Sequence, residues 1–166
     1  MEFKVGDSVV HPIYGVGRVV RMDKKSFTDT TEPRLYYEVS TAKTTVWVPA
    51  ETFEASGLRR LTTKVDLSGY RDLLKGKPLS LDKDHARRRM ELLERMKQGS
   101  FRALCEMVRD LTARGWAKPL GGADAASLRK AHDHLCQEWA AAEGVSLAEA
   151  TQEVDALLLD AKKSFE

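Results

Sequence analysis

The stretch Phe3–Lys25, FKVGDSVVHPIYGVGRVVRMDKK, has the composition of short β-strands joined by tight turns. Its valines favour extended backbone, and the Gly-Asp, Pro and Gly positions between them are typical of turns. The same pattern continues to Leu61. It predicts five strands, which are Val5, Ser8–Val10, Val16–Met22, Leu35–Ser40 and Thr44–Val48. Five short strands within roughly 60 residues favour a small, strongly bent barrel or half-barrel.

Beyond Gly57 the apolar residues recur with a helical period instead. The predicted helices cover residues 66–75, 82–98, 100–115 and 125–143, and a last helix follows Ser146. Ser100 and Ser146 are candidate N-caps, the second within a Ser-Leu-Ala-Glu capping box, and Gly99 is typical of a helix C-terminus. The sequence therefore predicts an α+β protein of two domains, residues 1–62 and 63–166, the first a small β-barrel and the second a compact helical domain.

The composition suits a folded protein of 166 residues, with 42% hydrophobic and 31% charged side chains. No segment approaches the roughly 18 consecutive apolar residues of a membrane-spanning helix, and the N-terminus has no apolar signal region. We therefore expect a cytoplasmic protein without a membrane partner. In a reducing compartment, Cys105 and Cys136 are expected to be buried thiols.

The net charge of +2 is unevenly distributed. Residues 65–109 carry 11 basic and 7 acidic side chains, whereas residues 110–166 carry 6 and 10. The basic segment contains the run Arg87-Arg88-Arg89, and Arg95 falls on the same side of the predicted helix as Arg88. Guanidinium groups fork onto phosphate oxygens, so this helix is a candidate phosphate-binding surface. A solvated helix face is the other interpretation.

A catalytic site is not recognisable in the sequence. The chain has four histidines but no Gly-x-Ser-x-Gly, His-Glu-x-x-His or paired-cysteine motif, so we expect neither an enzyme nor a bound cofactor or metal. The cluster His132-x-His134-x-Cys136 is the exception, because His132 and Cys136 share a helix face while His134 points away. A metal- or thiol-sensing regulator is therefore an alternative to the plain interpretation, in which Cys136 lies in the core.

The segment Thr44–Pro49 is a strand that ends at a proline. Proline is tolerated at a sheet edge, where its missing N–H group breaks no hydrogen bond between strands. An edge strand can also accept a strand from a partner. Trp47 points to the opposite face from Val46 and Val48, so both faces of this strand are apolar and one of them is a candidate partner surface.

Several segments together resemble the CarD/CdnL family of bacterial transcription regulators. The resemblance lies in Phe3-Lys4-Val5-Gly6-Asp7-Ser8-Val9-Val10-His11-Pro12, Tyr14-Gly15-Val16-Gly17, Val48-Pro49-Ala50-Glu51 and Ser56-Gly57-Leu58-Arg59. In the helical part it lies in Leu73-Leu74, Arg87-Arg88, Gly99-Ser100, Val108-Arg109-Asp110-Leu111, Lys130-Ala131 and Leu135. It covers nearly the whole chain. Transcription-repair coupling factors share the N-terminal motif, but they continue into a large ATP-driven motor that is not found in this sequence.

The resemblance implies a Tudor-like domain over residues 1–62 that binds RNA polymerase and a helical domain over residues 63–166 that contacts DNA. Family members pair the edge strand with the polymerase β subunit, and the matching positions here are Lys25, Val39, Trp47 and Pro49. The helical domain contacts promoter DNA at the upstream edge of the transcription bubble and stabilises the open complex. The candidate DNA-contacting residues here are His85, Arg87, Arg88, Arg95 and Lys130. The protein is expected to act as a monomer.

Two positions depart from the family pattern. His85 stands where well-studied relatives have a tryptophan that wedges into the minor groove, and Trp47 stands where a basic residue or methionine is common. The first departure favours an alternative function, a polymerase-binding module without significant DNA binding, whereas the retained Arg87 and Arg88 oppose it. The second is compatible with polymerase binding, because an aromatic anchor suits an interface.

Overall fold

The computed structural model of the protein describes residues 2–29 and 32–166. The chain divides into two compact units, Met1–Leu61 and Thr62–Glu166. The first unit contains the strands and the second contains the helices, so the α+β fold class is confirmed. None of the helices in the described part of the chain is both long and apolar enough to cross a membrane.

The first unit is one antiparallel sheet of five strands. These are β1 (Ser8–His11), β2 (Gly15–Lys25), β3 (Arg34–Thr41), β4 (Thr45–Pro49) and β5 (Arg59–Arg60), with a short 3₁₀ turn at Phe53–Ser56. Their order across the sheet is β4-β3-β2-β1-β5. The sheet is open, with β4 at one edge and β5 at the other, so the structure is a half-barrel rather than a closed barrel.

The prediction of a strand at Val5 is wrong, because that residue lies in a turn before β1. The N–H of Lys4 donates to the Asp7 carboxylate and the N–H of Asp7 donates to the Lys4 carbonyl, both over 3.0 Å. Gly6 completes this turn with a φ of +98°, which a glycine adopts at little cost. The fifth strand is instead β5, which pairs with β1.

Alternation along the strands decides which side chains form the core of this unit. Val19, Tyr37, Val39 and Val48 are at most 1% exposed and pack together with Phe3. Their neighbours along each strand, such as Trp47, point to the outer face. A β-bulge between Val19 and Arg21 bends β2, which increases the local twist of the sheet.

The second unit is a bundle of five helices. They are α1 (Leu67–Leu74), α2 (His85–Gln98), α3 (Phe101–Ala117), α4 (Gly122–Glu143) and α5 (Leu147–Phe165). Ser100 and Ser146 accept hydrogen bonds from the backbone N–H groups of Ala103 and Glu149, so both predicted N-caps are confirmed. Two helix starts differ from the prediction. Helix α2 begins at His85, after the N-cap Asp84, rather than at residue 82, and α4 begins at Gly122 rather than at Ala125.

Helix α3 is the centre of this bundle and packs against the other four helices. Its core residues include Cys105, Val108 and Leu111, which lie with Leu135 and Trp139 of α4 in one apolar cluster. Cys136 is also in this cluster, so both cysteines are buried thiols as expected. Acidic side chains are buried as well, and two of them, Asp110 of α3 and Asp124 of α4, determine how α2 is oriented.

Candidate functional surfaces

Strand β4 offers one free edge of the sheet. It pairs with β3 from Ser40↔Thr45 to Tyr36↔Pro49, and no strand in the described part of the chain pairs with its other side. The backbone groups along that side are therefore available to a partner strand. Pro49 ends the edge, because it has no N–H group to donate.

Trp47 lies on the outer face of this edge and is held there by two cations. The Lys25 ammonium is 3.8 Å from the centre of the Trp47 ring system, and the Arg21 guanidinium is 5.5 Å from it. Arg21 also pairs with Glu38, Nε to Oε2 over 3.2 Å, and Glu38 is the cross-strand neighbour of Trp47. Cation–π contacts at exposed sites contribute about 0.5–1 kcal/mol each. The indole is thus fixed in a partly exposed position before any partner binds.

Two further aromatic side chains on this face were missed by the sequence reasoning. Phe27 is 61% exposed, and its ring meets that of Tyr36 edge-on with centroids 5.1 Å apart. Tyr36 is the cross-strand partner of Pro49. The alternation along β3, which sends Tyr37 and Val39 inward, could have placed Tyr36 outside. Lys25, Phe27, Tyr36, Trp47 and Pro49 are called the outer-face patch below.

Val39 does not belong to the outer-face patch. Its side chain has no exposed surface and packs in the core, and its backbone pairs with Val46 of β4. The expectation that Val39 contacts a partner is therefore corrected: its buried side chain is not available for such a contact. Its position supports β4 from the inside, so a substitution there would act on the edge strand through packing.

Arg88 lies on the interior side of α2. Its side chain is only 7% exposed, and Nε donates to both carboxylate oxygens of Asp124 over 3.0 and 3.3 Å. One Nη group donates to the carbonyls of Asp82 and Lys83. These bonds occupy the guanidinium, so the expectation that Arg88 grips a phosphate is corrected: the residue neutralises a buried acid.

Arg95 has the same structural role two turns later. Its Nη1 is 3.1 Å from Oδ2 of Asp110 and its Nη2 is 3.3 Å from Oε1 of Glu91. Asp110 also accepts hydrogen bonds from Arg109 and from the N–H of Leu79. Arg95 therefore pairs with a carboxylate, that of Asp110, which has no exposed surface. The expectation that Arg95 contacts a phosphate is corrected in the same way as for Arg88.

The side of α2 that faces solvent carries both cations and apolar groups. Met90 is 68% exposed and Leu93 is 51% exposed, and they continue the stripe that begins at Ala86. Arg87 and Arg89 flank this stripe, and neither forms an ion pair with any described residue. The exposed apolar pair was missed as a candidate contact because a Met-Leu stripe on a helix more often packs into a core.

His85 begins α2 and is exposed. Its Nδ1 is 3.3 Å from Nη2 of Arg88, and a guanidinium can only donate in such a contact. His85 and Arg89 line a small groove against Ala126 of α4. Lys130 is exposed one turn further along α4 on the same side as Ala126. The free cations Arg87, Arg89 and Lys130 therefore accompany His85 on one part of the helical unit.

His132 and Cys136 do contact each other on α4. The Cys136 sulfur is 3.8 Å from Nε2 and 3.9 Å from Nδ1 of His132. Nε2 of His132 is 2.7 Å from Oδ1 of Asp155 on α5. The Cys136 contact and the Asp155 ion pair raise the pKa of His132 to about 9, against the opposing effect of burial. Among the described residues, no group of three or more His, Cys, Asp or Glu side chains has metal-site geometry.

The comparisons with known proteins agree for both units. The sequence model of the CarD-like/TRCF RID domain matches residues 3–62, and that of the CarD C-terminal domain matches residues 71–155. A protein of Bacillus subtilis (strain 168) named "Putative transcription factor YdeB" is 22% identical over 144 residues, which cover 87% of this chain and 94% of that protein. The chain therefore belongs to the CarD family of transcription regulators.

Proposed function

We propose that this transcription regulator binds the RNA polymerase β subunit through β4 and the outer-face patch, contacts promoter DNA through α2, and thereby stabilises the open complex. The observation that carries the proposal is the free edge of β4 with Trp47 fixed beside it by Lys25. We expect the protein to act as a monomer in the cytoplasm, where transcription takes place.

The polymerase contact would be an added strand. Backbone hydrogen bonds along β4 would supply affinity that does not depend on side chains, and the outer-face patch would select the partner. Because Trp47 is already ordered by its two cations, little side-chain entropy is lost on binding. Aromatic anchors of this kind carry a large share of interface energy.

The DNA contact would be weak when the protein acts alone. On this surface Arg87, Arg89 and Lys130, which have no ion-pair partner among the described residues, would meet phosphates, and each neutralised phosphate contributes a slope of about −0.9 in log affinity against log salt. Attachment to polymerase would raise the effective concentration of α2 near the promoter, so weak contacts suffice. Met90 and Leu93 add apolar surface between these cations, and such side chains can insert between base pairs in a widened minor groove.

The test is the lifetime of open complexes formed with the matching polymerase. Trp47→Ala and the double variant Arg87→Ala/Arg89→Ala should each shorten the lifetime relative to the unchanged protein. Ile13→Ala is the control, because Ile13 is an exposed apolar residue of the same unit that lies in the β1–β2 turn, outside the outer-face patch. Lifetimes that are unaffected by Trp47→Ala, with the variant folded, would exclude the polymerase contact proposed here.

One observation favours the alternative of a polymerase-binding module that has lost significant DNA binding. Two of the expected phosphate ligands, Arg88 and Arg95, are engaged with buried acids. In that case Arg87→Ala/Arg89→Ala would leave the open-complex lifetime unchanged, while Trp47→Ala would still release the protein from polymerase. The same assay therefore separates the two functions.

A further inference from the structure

The helical unit has a cavity of about 740 Å³ beside the start of α2. It lies between the loop 77–84, the start of α2, the end of α3, the loop that leads into α4, and the end of α5. This volume is within the range of about 300–1,000 Å³ that is typical of small-ligand sites. His85 lies at its border and also begins the exposed surface of α2, so the cavity adjoins the surface proposed to contact DNA.

The rim of this cavity is positively charged. Lys77, Lys83 and Lys118 line it and are exposed, and none of them has an ion-pair partner among the described residues. Its two carboxylates, Asp110 and Asp124, are buried and already neutralised by arginines. The unpaired charge that faces a ligand is therefore cationic, which suits a phosphate.

The wall of the cavity is aromatic and apolar. The partly buried Trp116 and the 44% exposed Phe165 contribute ring surface, and Leu79, Pro119 and Leu120 contribute aliphatic surface. Flat rings beside free lysines match a nucleotide, which combines a flat base with a charged phosphate. Gly121 and Gly122, at the start of α4, line the cavity without side chains, and no side chain caps this helix.

We propose that this cavity binds an unpaired base of single-stranded DNA together with its phosphate. Trp116 stacks on the base, and Lys77, Lys83 and Lys118 hold the phosphate. The proposal rests on the proposed function, because a strand that separates beside α2 would reach the cavity past His85. The cavity then retains the separated strand and opposes re-annealing, which adds a second source of open-complex stability to the duplex contacts of α2.

The first experiment measures binding of fluorescein-labelled oligonucleotides to the full-length protein at low salt by fluorescence anisotropy. A ten-residue thymidine strand should bind at least about fivefold more tightly than an abasic strand of the same length, because only the first has bases that can stack. Equal affinity for the two strands overturns the proposal, since it would mean that only the phosphates are recognised.

Variants then locate the site. Lys118→Glu should weaken binding of the thymidine strand at least about threefold more than Lys163→Glu, which reverses the charge of an exposed lysine on α5 outside the cavity. Trp116→Ala should remove most of the preference for the thymidine strand over the abasic one, and Trp116→Phe, which keeps a ring with a smaller change in volume, should retain part of it. Equal effects of Lys118→Glu and Lys163→Glu, or an unchanged preference in folded Trp116→Ala, overturn the assignment.

Two further measurements separate base binding in the cavity from the proposed contact of α2 with duplex DNA. Arg87→Ala/Arg89→Ala should weaken duplex binding while it changes thymidine-strand binding by less than about twofold. If the protein binds the thymidine strand but shows no measurable duplex binding, base binding in the cavity is supported and the α2 contact with duplex DNA is rejected. If it binds duplex DNA but not the thymidine strand, base binding in the cavity is rejected. Complete competition by thymidine monophosphate, with no gain from longer strands, would assign the cavity to a free nucleotide and overturn strand binding.

Discussion

The outer face of the sheet and the exposed side of α2 both combine apolar groups with cations, but they do so in opposite ways. On the sheet, the Lys25 ammonium lies 3.8 Å from the Trp47 ring centre, so the cation is used to fix an aromatic anchor. On α2, Arg87 and Arg89 have no ion-pair partner among the described residues and flank the exposed Met90. A fixed aromatic group suits a protein interface, whereas free guanidinium groups suit phosphates. The same residue types therefore indicate different partners once their contacts are known.

A second contrast lies within α2 itself, where adjacent arginines have different roles. Arg88 is buried against Asp124, and Arg89 is exposed. Arg88→Ala leaves the Asp124 carboxylate with the longer contact to Arg114 as its remaining ion pair among the described residues, so we expect it to lower the free energy of unfolding by about 3–5 kcal/mol. Arg89→Ala, the matched control, should change it by less than about 0.5 kcal/mol. Urea denaturation followed by helical circular dichroism measures both.

A companion variant tests the physical cause of that loss. Arg88→Met with Asp124→Leu removes both charges and keeps apolar volume, so it should recover part of the stability lost in Arg88→Ala. If Arg88→Ala is as stable as Arg89→Ala, then Arg88 is not a structural ion pair and its role as a DNA contact would have to be reconsidered.

The next largest effect is expected on the sheet. Trp47→Ala should weaken binding to core polymerase by about 2 kcal/mol, because the indole is ordered at the centre of the outer-face patch. Lys25→Ala should weaken it by a smaller amount, since the ring remains but loses its closest cation. Surface-plasmon resonance with immobilised polymerase gives both dissociation constants, and Ile13→Ala serves as the control. An effect of Lys25→Ala larger than that of Trp47→Ala would make the cation, not the ring, the anchor.

A smaller effect is expected for DNA binding by α2. Arg87→Ala/Arg89→Ala should flatten the slope of log affinity against log salt by roughly two for duplex DNA, because two phosphate contacts are lost. Arg102→Ala is the control, because Arg102 is exposed on α3 but is paired with Glu106 over 2.9 Å. The salt dependence should be measured by anisotropy over several salt concentrations. The same slope in all three proteins would show that α2 does not meet the DNA backbone.

The strands were easier to predict than the orientation of α2, and the reason is physical. In a strand, successive side chains point to opposite faces. Once either face of β4 is known, the sequence therefore gives the inward direction of Val46 and Val48 and the outward direction of Trp47. In α2, one stripe carries Ala86, Met90 and Leu93, and the opposite side carries Arg88, Leu92 and Arg95. Both contain apolar residues, so period alone does not decide which is buried.

The deciding groups for α2 lie on other helices. Asp110 and Asp124 are buried in α3 and α4, and a buried carboxylate requires a cation or several hydrogen-bond donors. Arg88 and Arg95 supply them, so the arginine side turns inward and Met90 is left in solvent. The signal in the sequence was Asp110 directly before Leu111 on an otherwise apolar side of α3, but its partners could not be identified without the fold. The family and fold class were predicted correctly, whereas the assignment of these two arginines was not.

The smallest effect is expected at the ion pair between α4 and α5, where a titratable group meets a fixed carboxylate. The pKa of His132 is raised to about 9 in the folded protein, above its ordinary value of about 6.5. A group whose pKa rises on folding stabilises the protein fully below its unfolded pKa and ceases to do so as pH rises through the folded one. Asp155→Asn should therefore lower the free energy of unfolding by about 0.2–1 kcal/mol at pH 6, as for partly exposed ion pairs, and by less at pH 10.

Asp160→Asn is the control, because Asp160 is exposed on α5 and has no ion-pair partner among the described residues. Urea denaturation of the three proteins at both pH values measures the difference; an effect of Asp155→Asn that is the same at pH 6 and pH 10 would mean that the charge on His132 does not contribute to holding α4 and α5 together.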